Sequence, residues 1–366
     1  VYVAATGHTV SGQMLDYWRA NGADAVYGNP VSEPFAAANG LYSQAFEAGV
    51  FQFNPDYLWT DDPTVRLMPI SRPLLNDRLG RFRSDGRRDA GGGDRRDSAW
   101  RAVDPAYDAS AAEALASGGV YEFETGHTIS GDLLAWYQAH EGRFYLGNPI
   151  SQPLRERGAV VQYFEGGLLT TDGQVTSLAP LVAEHAADLR IETGPVPQGD
   201  LPEFDESLFW TTNNPWGGDA SAVGKKRIVV SITEQTMWVY QGDTLILQSL
   251  VSTGKDPNGT EVGDFHVRIK ELEETMAGFT DATGEVVAFG DEASATRESD
   301  ASGERYEVAD VPHVMYINFD AEALHGAYWH DNFGEKMSHG CINLPLDVAA
   351  FLFGWAPLGT EIRVLD

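Results

Sequence analysis

The feature that most constrains the fold is an internal duplication in the N-terminal half of the chain. Residues 6–34, TGHTVSGQMLDYWRANGADAVYGNPVSEP, align without gaps on residues 125–153, TGHTISGDLLAWYQAHEGRFYLGNPISQP, and 13 of the 29 positions are identical. After a one-residue slip the match resumes with Gln-x-Phe-Glu-x-Gly in both copies. Self-similarity of this kind is typical of a structural module that occurs twice. We therefore expect two similar small modules ahead of a separate C-terminal domain.

Each module is predicted to be a small α+β unit. Ser11 and Ser130 precede short amphipathic stretches that predict helices, and serine is a favoured residue at the N-cap. The Gly-Asn-Pro turn and the Gln-x-Phe-Glu-x-Gly segment that follow predict a loop and a β-hairpin. Together these residues resemble the LGFP-type repeats that are attached to bacterial cell-wall enzymes.

The sequence leaves two functions open for the modules. They could be packing or spacer units, because a fold by itself carries no function. They could instead bind wall glycan through an aromatic face composed of Tyr17, Trp18, Trp136 and Tyr137. The repeated His8 and His127 each follow a glycine just before a predicted helix, so we expect turn residues bonded to backbone there rather than metal ligands.

Two stretches of different composition divide the chain. Residues 76–108 hold eight of the 25 lysines and arginines and few apolar side chains, which predicts a solvated linker. Residues 193–225 carry Pro and Gly punctuation, which predicts a second boundary. The predicted organisation is a first repeat module at 1–75, an Arg/Asp/Gly-rich linker at 76–120, a second repeat module at 121–192, a Pro/Gly linker at 193–224 and a C-terminal domain at 225–366.

The charge of the chain excludes several kinds of partner. There are 25 Lys and Arg against 54 Asp and Glu, a formal charge of −29, and such a surface repels phosphate backbones and anionic lipid. We therefore expect no nucleic-acid partner. No stretch approaches the roughly 18 consecutive apolar residues of a membrane span, so we expect no integral membrane segment. We also expect any export signal or anchor to lie outside this chain.

The C-terminal domain is predicted to be mainly β. Its β-branched and aromatic stretches predict strands at Arg227–Ile232, Thr236–Gln241, Leu245–Ser252, Gly263–Ile269, His313–Phe319 and Glu361–Leu365. One helix is predicted from Asp347, as its N-cap, to Gly354.

The densest chemistry lies between residues 324 and 345. This segment holds three histidines and the only cysteine of the chain, which are His325, His330, His339 and Cys341. A thiolate nucleophile needs an imidazole to take its proton, and either His325 or His339 could do so. Gly340 lets the backbone bend and exposes N–H groups where an oxyanion would form. The alternatives are an inert buried thiol and a zinc site, but no carboxylate partner for such a site stands out, so we expect neither a metal nor a cofactor.

The same residues resemble a known family, the L,D-transpeptidases of the YkuD type. The marks are His325-Gly326, SHGCIN at Ser338–Asn343, the opening RIVVSITEQTMWVYQGD, and VSTGK followed by T-x-x-G-x-F at Thr260–Phe265. The resemblance covers about Lys225 to Asp366 and implies a YkuD-like β-sandwich with one short helix. One departure is Glu261, where the family usually has Pro. Because that Pro rigidifies a turn away from the nucleophile, we expect little effect on activity.

The resemblance implies acyl transfer on peptidoglycan stem peptides. Cys341 would attack a donor tetrapeptide after its third residue and expel the terminal D-alanine, and an acceptor amine would then convert the thioester into a 3→3 cross-link. His325 would be the general base and acid, and His339 would orient or polarise the site. The N–H groups of Gly340 and Cys341 would form the oxyanion hole. The remaining expected residues are Ser338, Gly326 and Asn343 as loop support, Tyr316 and Trp329 in the substrate wall, and His330 in a structural role.

A second unusual stretch, Lys270–Asp310, carries 12 acidic and three basic residues. In the family that the chain resembles, an insertion at this place covers the cleft, so the resemblance implies a lid over Cys341. Its charge could attract the ammonium of an acceptor, and a merely solvated loop is the alternative.

Several functions remain open beside cross-linking. Water as the acceptor would make the protein an L,D-carboxypeptidase, and a protein amine as the acceptor would make it a wall-attachment enzyme. A non-catalytic wall-binding protein is the alternative from another class. Each of these places the protein outside the cytoplasm, in a bacterial cell wall or a periplasm-like space.

Overall fold

The computed structural model describes residues 1–60, 62–72, 74, 100–156, 158–210, 222–289 and 305–366. These residues fall into two compact units, one of residues 1–15 with 23–204 and one of residues 16–22 with 205–366. Residues 75–99, the Arg-rich centre of the first predicted linker, lie outside the described part of the chain, as do residues 211–221 of the second.

The two N-terminal modules have the same order of elements. The first consists of β1 (Tyr2–Val3), β2 (His8–Thr9), α1 (Gly12–Ala20), α2 (Ala23–Tyr27), β3 (Phe35–Ala36), β4 (Tyr42–Ala45), β5 (Val50–Phe53), a 3₁₀ turn (Pro55–Trp59) and β6 (Val65–Leu67). After α3 (Ala109–Ala116), the second consists of β7 (Val120–Glu122), β8 (His127–Ile129), α4 (Gly131–Ala139), α5 (Gly142–Tyr145), β9 (Leu154–Glu156), β10 (Ala159–Tyr163), β11 (Leu168–Thr171), β12 (Thr176–Leu178) and α6 (Leu181–His185). In each module two strands pair before the helices and four form an antiparallel sheet after them.

A repeated glutamine explains why both copies fold in the same way. The Gln44 side-chain amide donates to the carbonyls of Thr9 and Ser32, at 2.6 and 2.9 Å. Gln162 donates to the corresponding carbonyls of the second module, Thr128 and Ser151, at 2.7 and 2.8 Å. Each glutamine thus satisfies buried backbone groups on two segments that approach it from different parts of the sequence. The repeated polar residues therefore stabilise the fold of the module itself.

The aromatic residues proposed for a glycan-binding face are placed differently. Tyr17 and Trp18 are 4% and 0% exposed, because α1 is buried on the side that carries them. The Tyr137 ring packs on Phe164, and Trp136 stacks on His140 with ring centres 3.9 Å apart. The prediction of an exposed aromatic face that includes Tyr17 and Trp18 is therefore wrong.

The two repeated histidines are buried, but they lie in strands β2 and β8 and their ring nitrogens face side chains, so the expectation of turn residues bonded to backbone is wrong. His8 Nδ1 lies 3.3 Å from a Glu33 carboxylate oxygen, and His127 Nδ1 lies 3.5 Å from the Gln152 amide. In the part of the chain that the structure describes, no group of three His, Cys, Asp or Glu side chains is arranged to hold a metal.

The C-terminal part of the chain is mainly β, as predicted. After a 3₁₀ turn at Glu206–Phe209 it consists of β13 (Lys226–Ser231), β14 (Thr236–Gln241), β15 (Thr244–Leu250), β16 (Gly263–His266), β17 (Ile269–Thr280), β18 (Val286–Phe289), β19 (Arg305–Tyr316), β20 (Ala323–Gly326), β21 (Ile342–Leu344), α7 (Leu346–Trp355) and β22 (Glu361–Leu365). The strands form two five-stranded sheets, in the orders β15-β14-β13-β22-β16 and β18-β17-β19-β20-β21.

One hydrophobic core joins the two sheets and the helix. Its fully buried members include Ile228, Val230, Met237, Val239, Met315, Leu324, Ile342, Phe351 and Trp355. The N-cap of helix α7 lies two residues earlier than expected. Pro345, not Asp347, is its N-cap, because Asp347 lies in the first turn, where its carboxylate accepts from the Val348 N–H. None of the helices in the described ranges has the length and apolarity that a membrane crossing requires.

The predicted lid is in large part regular structure. Its two arms are the 12-residue strands β17 and β19, which pair antiparallel from Ile269 opposite Tyr316 to Phe279 opposite Arg305. The acidic side chains at the start of β17 are largely exposed, so the stretch looks like a loop in sequence although its backbone is bonded into a sheet. The central residues 290–304 lie outside the described residues.

Candidate active site

The backbone around Cys341 is held from several sides. Cys341 directly precedes β21, and the Met337 and Ser338 N–H groups both donate to the Thr253 carbonyl. The Thr260 hydroxyl donates to the Gly340 carbonyl at 2.6 Å and accepts from the Gly254 N–H at 2.8 Å. Cys341 therefore lies on a loop whose position is set by neighbouring backbone segments.

Gly340 has a φ of +125°, which side chains other than hydrogen rarely tolerate. A Cβ at this position would also lie 3.2 Å from a carboxylate oxygen of Glu322. Both facts require glycine immediately before the cysteine.

His325 reaches the same site from the neighbouring strand. β20 and β21 are parallel, with His325 opposite Asn343. Because side chains alternate between the two faces of a sheet, His325 and the residue two before Asn343, Cys341, lie on one face. His325 Nδ1 is 3.2 Å from the Gly326 carbonyl, so it carries the proton and leaves Nε2 as the acceptor.

Both groups are uncharged at neutral pH. Burial lowers the pKa of His325, which is 2% exposed, to about 4. Burial also raises the pKa of Cys341 to about 11, an effect that the Ala323 N–H opposes and the Glu322 carboxylate reinforces. The site thus holds a neutral thiol beside a neutral imidazole, and the proton has to move as the sulfur attacks.

His339 is exposed at the mouth of the site. Its ring stacks on Tyr306 of β19, with ring centres 5.0 Å apart and planes inclined by 7°. Burial and the nearby Lys255 both lower the pKa of His339. The stacking fixes the ring beside the cavity, and Tyr306 is a residue that sequence reasoning missed.

A cavity of about 590 Å³ lies over Cys341, and most of the predicted site residues line it. Besides Cys341, its lining includes His325, His339, Ser338, Asn343, Tyr316 and Trp329. The Tyr316 hydroxyl donates to Glu274 at 2.8 Å, and the Trp329 ring centre is 5.7 Å from that of His325. Gly326 packs beneath the site, where a Cβ would lie 3.0 Å from the Leu346 side chain.

Ser338 ties the loop together. Its hydroxyl donates to the Cys341 carbonyl at 2.5 Å and accepts from the Gly340 N–H at 3.3 Å. The Gly340 N–H, which was expected in the oxyanion hole, is therefore already bonded within the loop.

Glu322 is a second residue that sequence reasoning missed. It is 8% exposed, and its carboxylate accepts from the Glu261 N–H at 3.0 Å and from the Asn318 amide at 2.8 Å. Burial raises its pKa to about 7, and the hydrogen bonds only partly oppose this. The sequence signal that could have pointed to Glu322 was Glu261 in place of the family's usual proline, because proline has no N–H to donate to a carboxylate at this position.

Comparison with known proteins identifies a family model that matches the C-terminal part of the chain. The model of the YkuD family, described as an L,D-transpeptidase catalytic domain, matches residues 225–364. A curated relative, the L,D-transpeptidase ORF 5 of the ATP synthase subunits region of Fuscovulum blasticum, is 38% identical over 53 residues. That match covers 14% of this chain and 28% of the relative.

Several solved structures are also similar. The catalytic domain of an L,D-transpeptidase from E. faecium is 27% identical, with a TM-score of 0.30, over 38% of this chain and 97% of that one. The imipenem complex of the L,D-transpeptidase LdtMt1 is 25% identical, with a TM-score of 0.30, over 38% of this chain and 58% of that one. An L,D-transpeptidase from Mycobacterium smegmatis is 24% identical, with a TM-score of 0.31, over the same shares of the two chains. The chain thus spans 28% of the curated relative and little more than half of two of these proteins. Residues 225–364 form an L,D-transpeptidase catalytic domain of the YkuD family.

Proposed function

We propose that this protein forms 3→3 cross-links in bacterial peptidoglycan through a thioester on Cys341. The observation that carries the proposal is that His325, from β20, and Cys341, from the residue before β21, line one cavity of about 590 Å³. A cysteine whose neighbour is a neutral imidazole with a free Nε2 is equipped for acyl transfer.

Acylation would begin with attack of the Cys341 sulfur on the carbonyl carbon of the donor's third residue. The S–C bond forms, the thiol proton moves to His325 Nε2, and the carbonyl electron pair moves onto oxygen. When the C–N bond breaks, the terminal D-alanine leaves as an amine and takes the proton from His325. The product is the thioester.

The acceptor would be a cationic side-chain amine of a second stem peptide. Four carboxylates face the cavity, and they belong to Glu271, Glu274, Asp320 and Glu322. They favour an ammonium group over a neutral or anionic acceptor. After the acceptor loses a proton, its nitrogen attacks the thioester, forms the amide and releases the Cys341 thiol.

Peptidoglycan as the substrate places the protein outside the cytoplasm, with stem peptides as its partners. The domain boundaries at residues 75, 120, 192 and 224 and a spacer role for the modules belong to this proposal. The repeated Gln44 and Gln162, which bond within their own modules, support the spacer role over direct chemistry.

The test is intact mass spectrometry of the protein after incubation with a disaccharide tetrapeptide, and separately with a carbapenem. We expect an adduct on wild type, none on Cys341→Ala, and cross-linked dimers among the muropeptide products. Tripeptide without dimers would indicate a carboxypeptidase. An adduct that persists in Cys341→Ala, or no adduct on wild type with either reagent, would overturn the proposal.

A further inference from the structure

One buried polar group in the cavity has no hydrogen-bond partner. Asn343 is 2% exposed, lies in β21 two residues after Cys341, and lines the cavity. One side of its amide faces His330, with 2.9 Å between Asn343 Nδ2 and His330 Nε2. The other amide atom, placed as Oδ1, is buried without a partner among the described residues. Buried amide atoms are rarely left in this state unless a ligand completes them.

The hydrogen bonds of His330 decide which atom of the Asn343 amide faces His330 and which is left without a partner. His330 Nδ1 accepts from the Asn332 N–H at 3.2 Å. Burial lowers the pKa of His330, so the ring is neutral at pH 7 and its single proton lies on Nε2. That proton needs an acceptor, which on Asn343 is the amide oxygen. Exchange of the amide oxygen and nitrogen gives the His330 proton its acceptor, since these atoms are assigned by their hydrogen bonds, and leaves the amino group without a partner among the described residues.

The amino group of Asn343 then takes the unpartnered position, as a buried donor on a residue that lines the cavity. It lies on the face of β21 that carries Cys341, about 7 Å along the strand from the cysteine Cα. The Gly340 N–H, by contrast, donates to Ser338. The site therefore offers a side-chain donor where a backbone donor is already used.

We propose that the Asn343 amino group donates to the oxyanion that forms when Cys341 attacks the donor carbonyl, and that His330 is the positioning residue that orients this amide. The inference rests on the proposed function. As the S–C bond forms and the thiol proton moves to His325, negative charge collects on the carbonyl oxygen. The amide stabilises that charge until the C–N bond breaks and the carbonyl is restored.

The first test replaces the donor by an acceptor of the same size, Asn343→Asp. We expect the rate constant of thioester formation at saturating tetrapeptide to fall about 100-fold or more, with little change in the half-saturating concentration. Intact mass spectrometry over time measures both. A rate constant within about threefold of wild type would overturn the inference, since loss of one oxyanion donor costs far more.

A second pair of variants keeps the test valid if Asn343→Asp does not fold. Glutamine at position 330 places its amino group near the former Nε2 and can still donate to Asn343, whereas asparagine reaches only the Nδ1 position. We expect His330→Asn to slow acylation about tenfold and His330→Gln to restore most of the rate. Equal loss in both variants would overturn the positioning role. His185→Asn, an exposed histidine outside the catalytic domain, is the matched control.

Alkylation of Cys341 by iodoacetamide separates this role from loop support. That reaction forms no oxyanion, so His330→Asn should alkylate at the wild-type rate, and a parallel loss would contradict the inference. If wild type itself forms no thioester, the proposed function fails. If wild type acylates normally and Asn343→Asp does too, only the role of Asn343 fails.

Discussion

The residues around Cys341 keep the resting enzyme unreactive. With the pKa of the thiol near 11 and that of His325 near 4, neither group is charged at the pH of the cell. A thiol-alkylating reagent therefore finds little thiolate to react with. We expect the thiol proton to move to His325 only when the sulfur attacks a bound carbonyl group. A thiol that stays protonated is less easily oxidised, so we expect this arrangement to protect the single free cysteine.

Glu322 is a residue through which a mutation can change the pKa of the Cys341 thiol. Its carboxylate lies against Gly340 and contributes to the high pKa of Cys341. We expect Glu322→Gln to remove that charge, lower the thiol pKa and speed alkylation by iodoacetamide at pH 8 about threefold to tenfold. The rate as a function of pH, followed by mass spectrometry, measures the shift. Glu234→Gln, at an exposed carboxylate in the turn between β13 and β14, should leave the profile unchanged, and identical profiles for all three proteins would refute the coupling.

The same carboxyl makes stability depend on pH in a known direction. Because the folded pKa of Glu322, about 7, lies above the ordinary value of 4.5, its contribution to stability is full below pH 4.5. That contribution is lost as the pH rises through 7. Glu322→Gln has no proton to release at this position. The difference between its unfolding free energy and that of wild type should therefore increase between pH 4.5 and about pH 7.

The motif around Cys341 predicts the nucleophile and its histidine neighbours, because they are close in sequence. Glu322, Asn318 and Tyr306 could not be found in that way. Their contacts with Glu261, Gly340 and His339 join residues between 18 and 61 positions apart in sequence, and only the folded sheet brings them together.

Among the elements, the β17-β19 pair shows the limit of sequence patterns most clearly. Acidic residues at Glu271 and Glu273 look like a solvated loop, yet both are paired across the sheet to Val314 and Pro312. Alternation is a clear signal only when one face is buried, and here much of both faces is exposed. The short strands of the core, such as β13 and β14, were predicted to within a residue or two because they alternate against that core.

Thr260 links the loop between β15 and β16 to the cysteine loop. Thr260→Val keeps the shape but removes two hydrogen bonds at a site that is 6% exposed, which should cost about 2–4 kcal/mol of unfolding free energy. Because the Gly340 carbonyl loses its anchor, we expect acylation of Cys341 to slow about tenfold or more. Urea unfolding and adduct formation measure the two effects.

Two controls isolate the anchor. Thr260→Ser keeps the hydroxyl and should stay near wild type in rate. Thr236→Val removes a single bond, to the Glu234 carbonyl, in the other sheet, and should destabilise without slowing acylation. Normal acylation in Thr260→Val would show that the cysteine loop does not depend on this link.

At the scale of the whole molecule, the catalytic unit is larger than the family match. The match begins at residue 225, whereas the described residues of the compact unit also include 16–22, 205–210 and 222–224. The reason is a buried charge cluster. Lys226 is 0% exposed and lies 3.0 Å from Glu206, which also binds the Arg19 guanidinium through both of its oxygens. Burial lowers the pKa of Lys226 to about 8, although Glu206 opposes this.

The cluster predicts what the residues ahead of the match contribute. Glu206→Gln leaves the Lys226 ammonium buried without its carboxylate, so we expect a loss of about 3–5 kcal/mol at pH 7. Lys226→Met added to Glu206→Gln should recover part of that loss, because only the buried Arg19 guanidinium then lacks its carboxylate. Glu203→Gln, three residues earlier and exposed, should change nothing. Exposure of Cys341 to iodoacetamide in rising urea reports unfolding of the catalytic unit alone. Because Glu206 raises the pKa of Lys226, its removal lowers that pKa below about 8, so the loss in Glu206→Gln should shrink as the pH rises toward 8 and stay constant above it, where both folded proteins have released this proton. If Glu206→Gln unfolds at the wild-type urea concentration, the residues before the match are dispensable to the catalytic unit.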